Sequence, residues 1–516
     1  MSNLAAAVGD AAATHPDRVA VAHDGDELSY DDLWGRTGAF ANGLAAAGVD
    51  PDDRVALYLP NLPQFVVAFH GTVRAGAVAV PVNPQYKSRE LRHVLASSEA
   101  GVVVTVPDLV PAVEAVADET AVSEVVALGP AEGATAWRDF LGDAAFDTVA
   151  RGDDDVACQP YTSGTTGRPK GVLLTHENLR VNAELSAQLP PGGIAPADAH
   201  LGVLPLFHIY GMTVVMNATL VAGGSYYPLP SWDPAEAMRL IERAGLTLMH
   251  GVPAMYNDVV NLPEDETYDL SSLRMCGAGG SGVPVEVLRA FEDRYDATVH
   301  EGYGLTETSP VTHFNRPEVG RRVGSVGTPL PDVEARVVDD DFGTVPPVAA
   351  GPVDDDRDLD AVTGELVVAG PVVMKGYHDR PEATAEAFTE ADGRRWFHTG
   401  DVAYHDEDGY HYVVDRETHM ILTGGYNVYP REVEELLFEL PGVADAAVVG
   451  VPDERRGETV KAFVVPAPGA DLDAETVREH CLDSLAAYKH PREVAFVDEL
   501  PRTTTGKVRK FELAGE

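Results

Sequence analysis

Short apolar runs recur through residues 1–150, each following a turn signal and separated by helix-period stretches. Val55–Leu59 follows Pro51–Asp53, Ala77–Val82 follows Gly76, and Val102–Val106 follows Gly101. Apolar runs of this length between amphipathic stretches predict buried parallel strands joined by helices. Leu201–Leu204, Ser225–Leu229, Leu246–Gly251 and Leu273–Gly277 continue the rhythm. The pattern predicts an α/β fold, its large N-terminal domain built on doubly wound sheets.

After about Arg321 the texture shifts to closely spaced strands and turns, as in Val333–Val338 and Gly364–Val368, and predicts a β-rich subdomain. The Pro- and Asp-rich segment Asp339–Asp360 reads as a solvated loop. Its carboxylates lack the spacing of a calcium-binding loop. From Tyr429 a helix (Pro430–Glu439) and strands (Ala444–Val451, Thr459–Pro466) predict a small α+β C-terminal domain. Pro430 at the first turn, with acidic residues after it, marks the helix start.

At 516 residues and 45% hydrophobic composition the chain can bury several cores. Cys158, Cys276 and Cys481 are far apart, which speaks against a disulfide scaffold or zinc site and for a reducing, cytoplasmic setting. The N-terminus lacks the pattern of a signal peptide, and no run is long enough to predict a membrane span. The 82 acidic residues against 38 basic ones leave a net charge of −44, spread along the whole chain. Such spread acidity reads as a solvated surface adapted to high salt, a halophilic trait, where screening relieves self-repulsion. It argues against nucleic acid or an anionic membrane as partner.

One run carries chemistry on its face. Tyr161-Thr-Ser-Gly-Thr-Thr-Gly-Arg-Pro-Lys-Gly171 holds three glycines and the hydroxyls of Thr162, Ser163, Thr165 and Thr166. Glycines let backbone N–H groups approach an anion and hydroxyls add donors, so the run suits a polyphosphate. It is not a Walker loop: Pro169 precedes Lys170, Gly171 follows it, and the next residues, Val172–Leu174, read as a strand where a Walker loop opens a helix.

The run resembles the signature of the acyl-adenylate-forming superfamily, which includes acyl-CoA synthetases, peptide-synthetase adenylation domains and firefly luciferase. The rest of that family's series follows in order: Leu204-Pro-Leu-Phe-His-Ile-Tyr-Gly211, Glu301-Gly-Tyr-Gly-Leu-Thr-Glu-Thr308, His398-Thr-Gly-Asp401, Asp415-Arg416, Gly424-Gly-Tyr-Asn-Val-Tyr-Pro430 and Pro501-Arg-Thr-Thr-Thr-Gly-Lys507. The resemblance covers about residues 15–510. It implies an acyl-CoA synthetase in which a carboxylate attacks the α-phosphate of ATP, and a thiol then displaces AMP. It divides the chain into an AMP- and acyl-binding domain, residues 1–415, and a mobile C-terminal domain, residues 416–516, hinged at about 415–420.

Residue by residue, the resemblance implies that Lys507 is the adenylating lysine, Glu307 the Mg2+ ligand and Thr306 a phosphate-binding hydroxyl. ATP or AMP would meet Thr162, Ser163, Gly164, Thr165, Thr166, Gly167, Lys170, Glu301, Gly302, Tyr303, Asp401 and Arg416, with Tyr303 against adenine and Asp401 and Arg416 on the ribose. A lone Glu307 suffices for magnesium, which takes most of its ligands from phosphate and water. On the acid and coenzyme A side stand His208, Gly277, Gly279, Gly304, Gly424 and Gly425. The C-terminal domain would rotate to exchange Lys507 for Gly424–Gly425, whose glycines admit a pantetheine arm. Thr418 and His419 depart from the family's usual hinge residues.

Acetate-specific relatives place tryptophan where this chain has Gly304. With Gly277, Ala278, Gly279 and Gly280, and with Met212, Met216 and Met255, this favours a medium- or long-chain fatty acid, and an aryl acid such as a cinnamate second. Coenzyme A is the expected acceptor. Oxidation of a luciferase kind or transfer to a carrier protein would share every ATP motif. A non-catalytic adenylate-binding protein is disfavoured by the presence of both Lys507 and Glu307, and a homodimer is left open.

Overall fold

The computed structural model describes residues 3–162, 169–263, 265–351, 362–424, 426–453, 455–503 and 506–514. Strand alternation builds the N-terminal core. Val55 and Leu57 face one cluster with Phe65 and Phe69 of the helix Pro63–Arg74, while Ala56 and Tyr58 face another with Leu91, Val94 and Val113. The central strands Arg54–Tyr58, Val78–Pro81 and Val102–Thr105 are buried on both faces because helices cover both. This sheet runs Gly376–Tyr377, Lys170–Thr175, Val156–Cys158, Val78–Pro81, Arg54–Tyr58, Val102–Thr105, Glu124–Ala127, Thr135–Ala136.

A second mixed sheet has a parallel centre of Val299–Gly304, Met275–Ala278, Leu248–Gly251, Ala199–Gly202 and Ser225–Pro228. Val311–Phe314 and Thr328–Pro329 extend one end antiparallel. A π-helical segment, Tyr210–Asn217, continues into the helix Ala218–Val221 beside it.

The β-rich subdomain is the antiparallel sheet of Glu334–Val338, Gly364–Ala369, Arg394–His405, Phe388–Ala391 and His411–Arg416. In the loop after Val338 the structure differs from a fully solvated segment. Val345 and Val348 are buried, and Val348 N bonds His405 O at 2.9 Å, because these valines have apolar neighbours the acidic stretch hides in sequence. Residues 352–361 of that loop lie outside the described residues.

The C-terminal sheet pairs Tyr426–Val428, Ile421–Thr423, Gly457–Pro466 and Val443–Asp453, with Glu493–Phe496 parallel to Gly457–Pro466. The helix Pro430–Glu439 buries Val433 and Leu437 on it. No helix among the described residues is long and apolar enough to cross a membrane.

Candidate active site

The motif residues converge where strand ends of the second sheet meet the β-rich subdomain and the C-terminal tail. Tyr303 ends the strand Val299–Gly304, and its hydroxyl donates to Asp401 Oδ2 at 2.6 Å. Asp401 is 4% exposed, and its Oδ1 lies 3.2 Å from Arg416 Nε across the antiparallel register Asp401↔Arg416. Burial raises the Asp401 carboxyl above the usual carboxylate range, against the pull of Arg416 and the Tyr303 hydroxyl. A buried carboxylate already receiving two donors is poised to accept hydroxyl hydrogens.

Glu307 sits on the turn Thr306–Thr308 after that strand, and its Oε1 accepts from the Tyr377 hydroxyl at 2.9 Å. Motif reading missed Tyr377. It reaches Glu307 because Gly376–Tyr377 pairs with Lys170–Thr175, register Val172↔Tyr377, and Met374 N bonds Glu307 O at 2.8 Å. The same pairing places Lys170 Nζ 4.9 Å from the Tyr377 ring centroid, a cation–π contact. The glycine-rich run is thereby linked to Glu307, although only its flanks are placed: Thr162 pairs with Lys170, and Ser163, Gly164, Thr165, Thr166 and Gly167 lie outside the described residues.

Lys507 comes from the C-terminal tail. Thr503 N bonds Lys507 O at 2.7 Å, and Gly506 packs against Val252, where a Cβ would stand 2.8 Å from Val252 Cγ2. The side chain keeps an accessible face along the cleft, yet its surroundings are dense. That desolvation lowers its pKa from the ordinary lysine range; Arg416 adds to the effect, and Asp401 and Glu307 oppose it. These neighbours put the ammonium in the field of both acids.

His208 also feels Lys507. Burial first and Lys507 second hold its pKa down to about 3, so it stands neutral, accepting from Tyr210 N at 3.3 Å. A neutral imidazole there orients ligands by hydrogen bonds and does not supply protons near neutral pH.

The glycines divide. Gly279 lies against Tyr210, whose ring comes within 3.5 Å of where a Cβ would be, and Gly277 lies under His250. Tyr210 and His250 were not assigned from sequence; both were hidden in apolar runs. Gly302 packs on Phe314, and Gly304 is a close backbone approach: a Cβ there would stand 1.8 Å from the Pro310 carbonyl oxygen. Gly304→Ala is therefore expected to cost about 1–3 kcal/mol of stability by overpacking, read as a lower urea midpoint. An unchanged midpoint would contradict the packing.

Two sequence-assigned residues are not brought into this cluster. Glu301 is 3% exposed and accepts from Gly324 N at 3.1 Å. Burial pushes its carboxyl up to about 7, with Arg431 opposing. Between the ordinary 4.5 and about 7 the folded chain holds a proton that the unfolded chain has lost, so this group's contribution to stability falls as pH rises through that window and levels off above it. Glu301→Gln is expected to gain stability relative to the parent over that window, in melts across pH; a pH-independent difference would sink the assignment.

Gly424, at φ 60°, lines a separate cavity of about 450 Å³ with Tyr426, Arg456, Tyr488 and Arg492. Gly425 lies outside the described residues. Asp415 accepts from Arg416 N, Arg431 N and the His419 ring, at 2.7, 3.2 and 3.2 Å. His419 thus latches onto Asp415.

This fold and this gathering of a lysine, two acids and an arginine from two domains define an adenylate-forming ligase. The AMP-binding enzyme family profile matches residues 8–378, and its C-terminal domain profile matches residues 432–507. The chain belongs to the AMP-binding enzyme family, in its acyl-CoA synthetase branch. It is an AMP-forming acid–thiol ligase that makes acyl- or aryl-CoA thioesters. It is 36% identical to a long-chain-fatty-acid–CoA ligase of Bacillus subtilis, over 98% of this chain and 93% of that one. It is 40% identical to a feruloyl-CoA synthase of Amycolatopsis, over 96% of each. Among solved structures it resembles ATP-bound MatB from Rhodopseudomonas palustris, with TM-score 0.88, 35% identity and coverage of 100% and 98%. A benzoate CoA ligase from Burkholderia xenovorans aligns with TM-score 0.87, 28% identity and 99% of each chain.

Proposed function

We propose that this cleft adenylates an apolar carboxylic acid, and that the C-terminal domain then swings to let coenzyme A take the acyl group. The observation that carries the reading is the placement of Lys507 in the field of Asp401 and Glu307 while Gly424 faces a separate cavity.

In the first half, Lys507 orients the attacking carboxylate and offsets the charge that builds on the α-phosphate. Asp401 accepts the ribose hydroxyls, with Arg416 holding its other oxygen, and Tyr303 lies along adenine. Thr162, Lys170 and Thr306 hold phosphate oxygens. The donor set also fits magnesium: Glu307 has Oε1 steadied by Tyr377, leaving Oε2 as a hard oxygen ligand, and Thr306 supplies a neighbouring hydroxyl. When bound, Mg2+ would neutralise the developing phosphate charge. In the second half, rotation about residues 415–420 withdraws Lys507 and brings Gly424–Gly425 to the acyl-adenylate. The neutral His208 borders the path of the thiol. These roles divide the chain into residues 1–415 and 416–516.

The acid lies between the Tyr210–Asn217 segment and the strands Leu248–Gly251 and Met275–Ala278. Met212, Met216 and Met255, buried in the same core cluster, would give an adaptable apolar wall for a medium- or long-chain fatty acid. An aryl acid is the second reading, favoured by the Tyr210 ring set edge-on to His250 at 6.0 Å. The excess of acidic residues spread along the chain supports the reading of an enzyme adapted to a salt-rich cytoplasm.

Acid-dependent AMP formation across fatty and aryl acids, with and without coenzyme A, at low and multimolar salt, tests this reading. AMP release that rises with coenzyme A and with salt is the expected result. Release indifferent to coenzyme A for every acid would overturn transfer to that thiol, and loss of activity in high salt would overturn the salt adaptation.

A further inference from the structure

The wall of that acid site buries two histidines that the reaction does not use. His200 on Ala199–Gly202 and His250 on Leu248–Gly251 are 0% and 2% exposed, and His200 Nε2 meets His250 Nδ1 at 2.9 Å. On the far side His200 Nδ1 lies 2.8 Å from Thr219 Oγ1, whose own hydroxyl donates to Val215 O at 2.6 Å.

These contacts decide where the hydrogens are. Thr219 has one hydroxyl hydrogen, committed to the Val215 carbonyl, so His200 Nδ1 must be the donor to Thr219 Oγ1. Burial holds both rings neutral, His200 well below the usual histidine range and His250 at about 4. A neutral His200 with hydrogen on Nδ1 has a bare Nε2, which accepts from His250 Nδ1. His250 is then left with a bare Nε2, an acceptor by construction.

That Nε2 is buried and has no hydrogen-bond partner among the described residues. Its ring edge lies over Gly277, where a Cβ would stand 2.4 Å from Nε2, and the Tyr210 ring stands nearly perpendicular to the imidazole, with ring centroids 6.0 Å apart. The adjoining helical segment adds further unpaired atoms: Thr213 Oγ1 and both amide atoms of Asn217 are buried without partners among the described residues. Buried acceptors are normally satisfied, and a purely aliphatic acid would leave this one bare.

We propose that His250 Nε2 is a specificity-determining acceptor that receives an O–H or N–H from the acid at a position remote from its carboxylate. The inference rests on the placement of the acid proposed above. It selects acids carrying a distal hydroxyl or amino group over their unsubstituted or ether counterparts. Thr219 and His200 act through His250 as positioning residues, because they impose its tautomer.

The test is kcat/KM for coenzyme A-dependent AMP formation on matched acids: cinnamate with a ring hydroxyl, a ring methoxy group or neither, and fatty acids with and without a chain hydroxyl. The two series separate an aryl from an aliphatic source of the donor. In at least one series the hydroxyl-bearing acid is expected to exceed its partners by about tenfold or more, and His250→Phe to bring that ratio close to one. Thr219→Val, a milder change, frees the relay to invert and is expected to narrow the hydroxyl-to-methoxy ratio. Hydroxyl and methoxy acids used equally by the parent, or ratios unchanged in the variants, would overturn the role of His250. Failure of every acid to support AMP formation would instead overturn the underlying reading of the site.

Discussion

Replacing Lys507 by alanine is expected to abolish adenylation while largely sparing thioester formation from supplied acyl-adenylate. The lysine follows Gly506, which docks on Val252, so the change removes an ammonium without removing the contact that seats this part of the tail. At the α-phosphate the lost group would have met charge that develops in the transition state, in a cleft dense enough to lower the lysine pKa. Deleting one such preorganised contact costs about 10²–10³-fold in rate. With orientation of the carboxylate lost as well, the adenylation rate should fall at least that far. Pyrophosphate release with acid and ATP measures the first half, and thioester formation from synthetic acyl-adenylate and coenzyme A the second. Equal loss in both halves would contradict a role confined to the first.

Gly424→Leu is expected to give the mirror image. Gly424 has φ 60°, and among the described residues no atom beyond its chain neighbours lies within 4 Å of a Cβ built on it. The first side-chain carbon of leucine therefore enters open space, at the modest strain of a left-handed backbone. Adenylation should stay within a few-fold of the parent. After rotation the same side chain would occupy the path of the pantetheine arm. A displacement of about 1 Å at a reacting thiol can cost about 10²-fold, and thioester formation should fall on that scale. The same two assays decide it, and an unchanged second half would remove Gly424 from the thiol path. With Lys507→Ala, the pair forms a double dissociation that tests the exchange of one segment for the other.

The sequence by itself determined the elements. Runs such as Val55–Leu59 and Leu246–Gly251 became strands buried on both faces, because uninterrupted apolar stretches have no side to turn to water. Pro430 with its acidic neighbours set the start of the helix Pro430–Glu439. The ordered motifs, through the family resemblance they carry, marked Tyr303, Glu307, Asp401, Arg416 and Lys507 as one site.

Contacts made across long stretches of chain were decided only by the tertiary structure. Tyr377 reaches Glu307 through strand pairing with Lys170–Thr175, and no local pattern around Tyr377 encodes that register. Glu301 sits inside a motif, yet its carboxylate turns to Gly324 N. Gly304 reads as an open pocket floor in sequence, whereas in space it admits the Pro310 carbonyl. His200 and His250 look like polar interruptions of two apolar strands 50 residues apart. Strand order makes them a hydrogen-bonded pair, and the hydrogen committed by Thr219 determines that His250 Nε2 is left without one. A hydrogen's position follows from a chain of contacts, and those contacts exist only once the sheet is assembled.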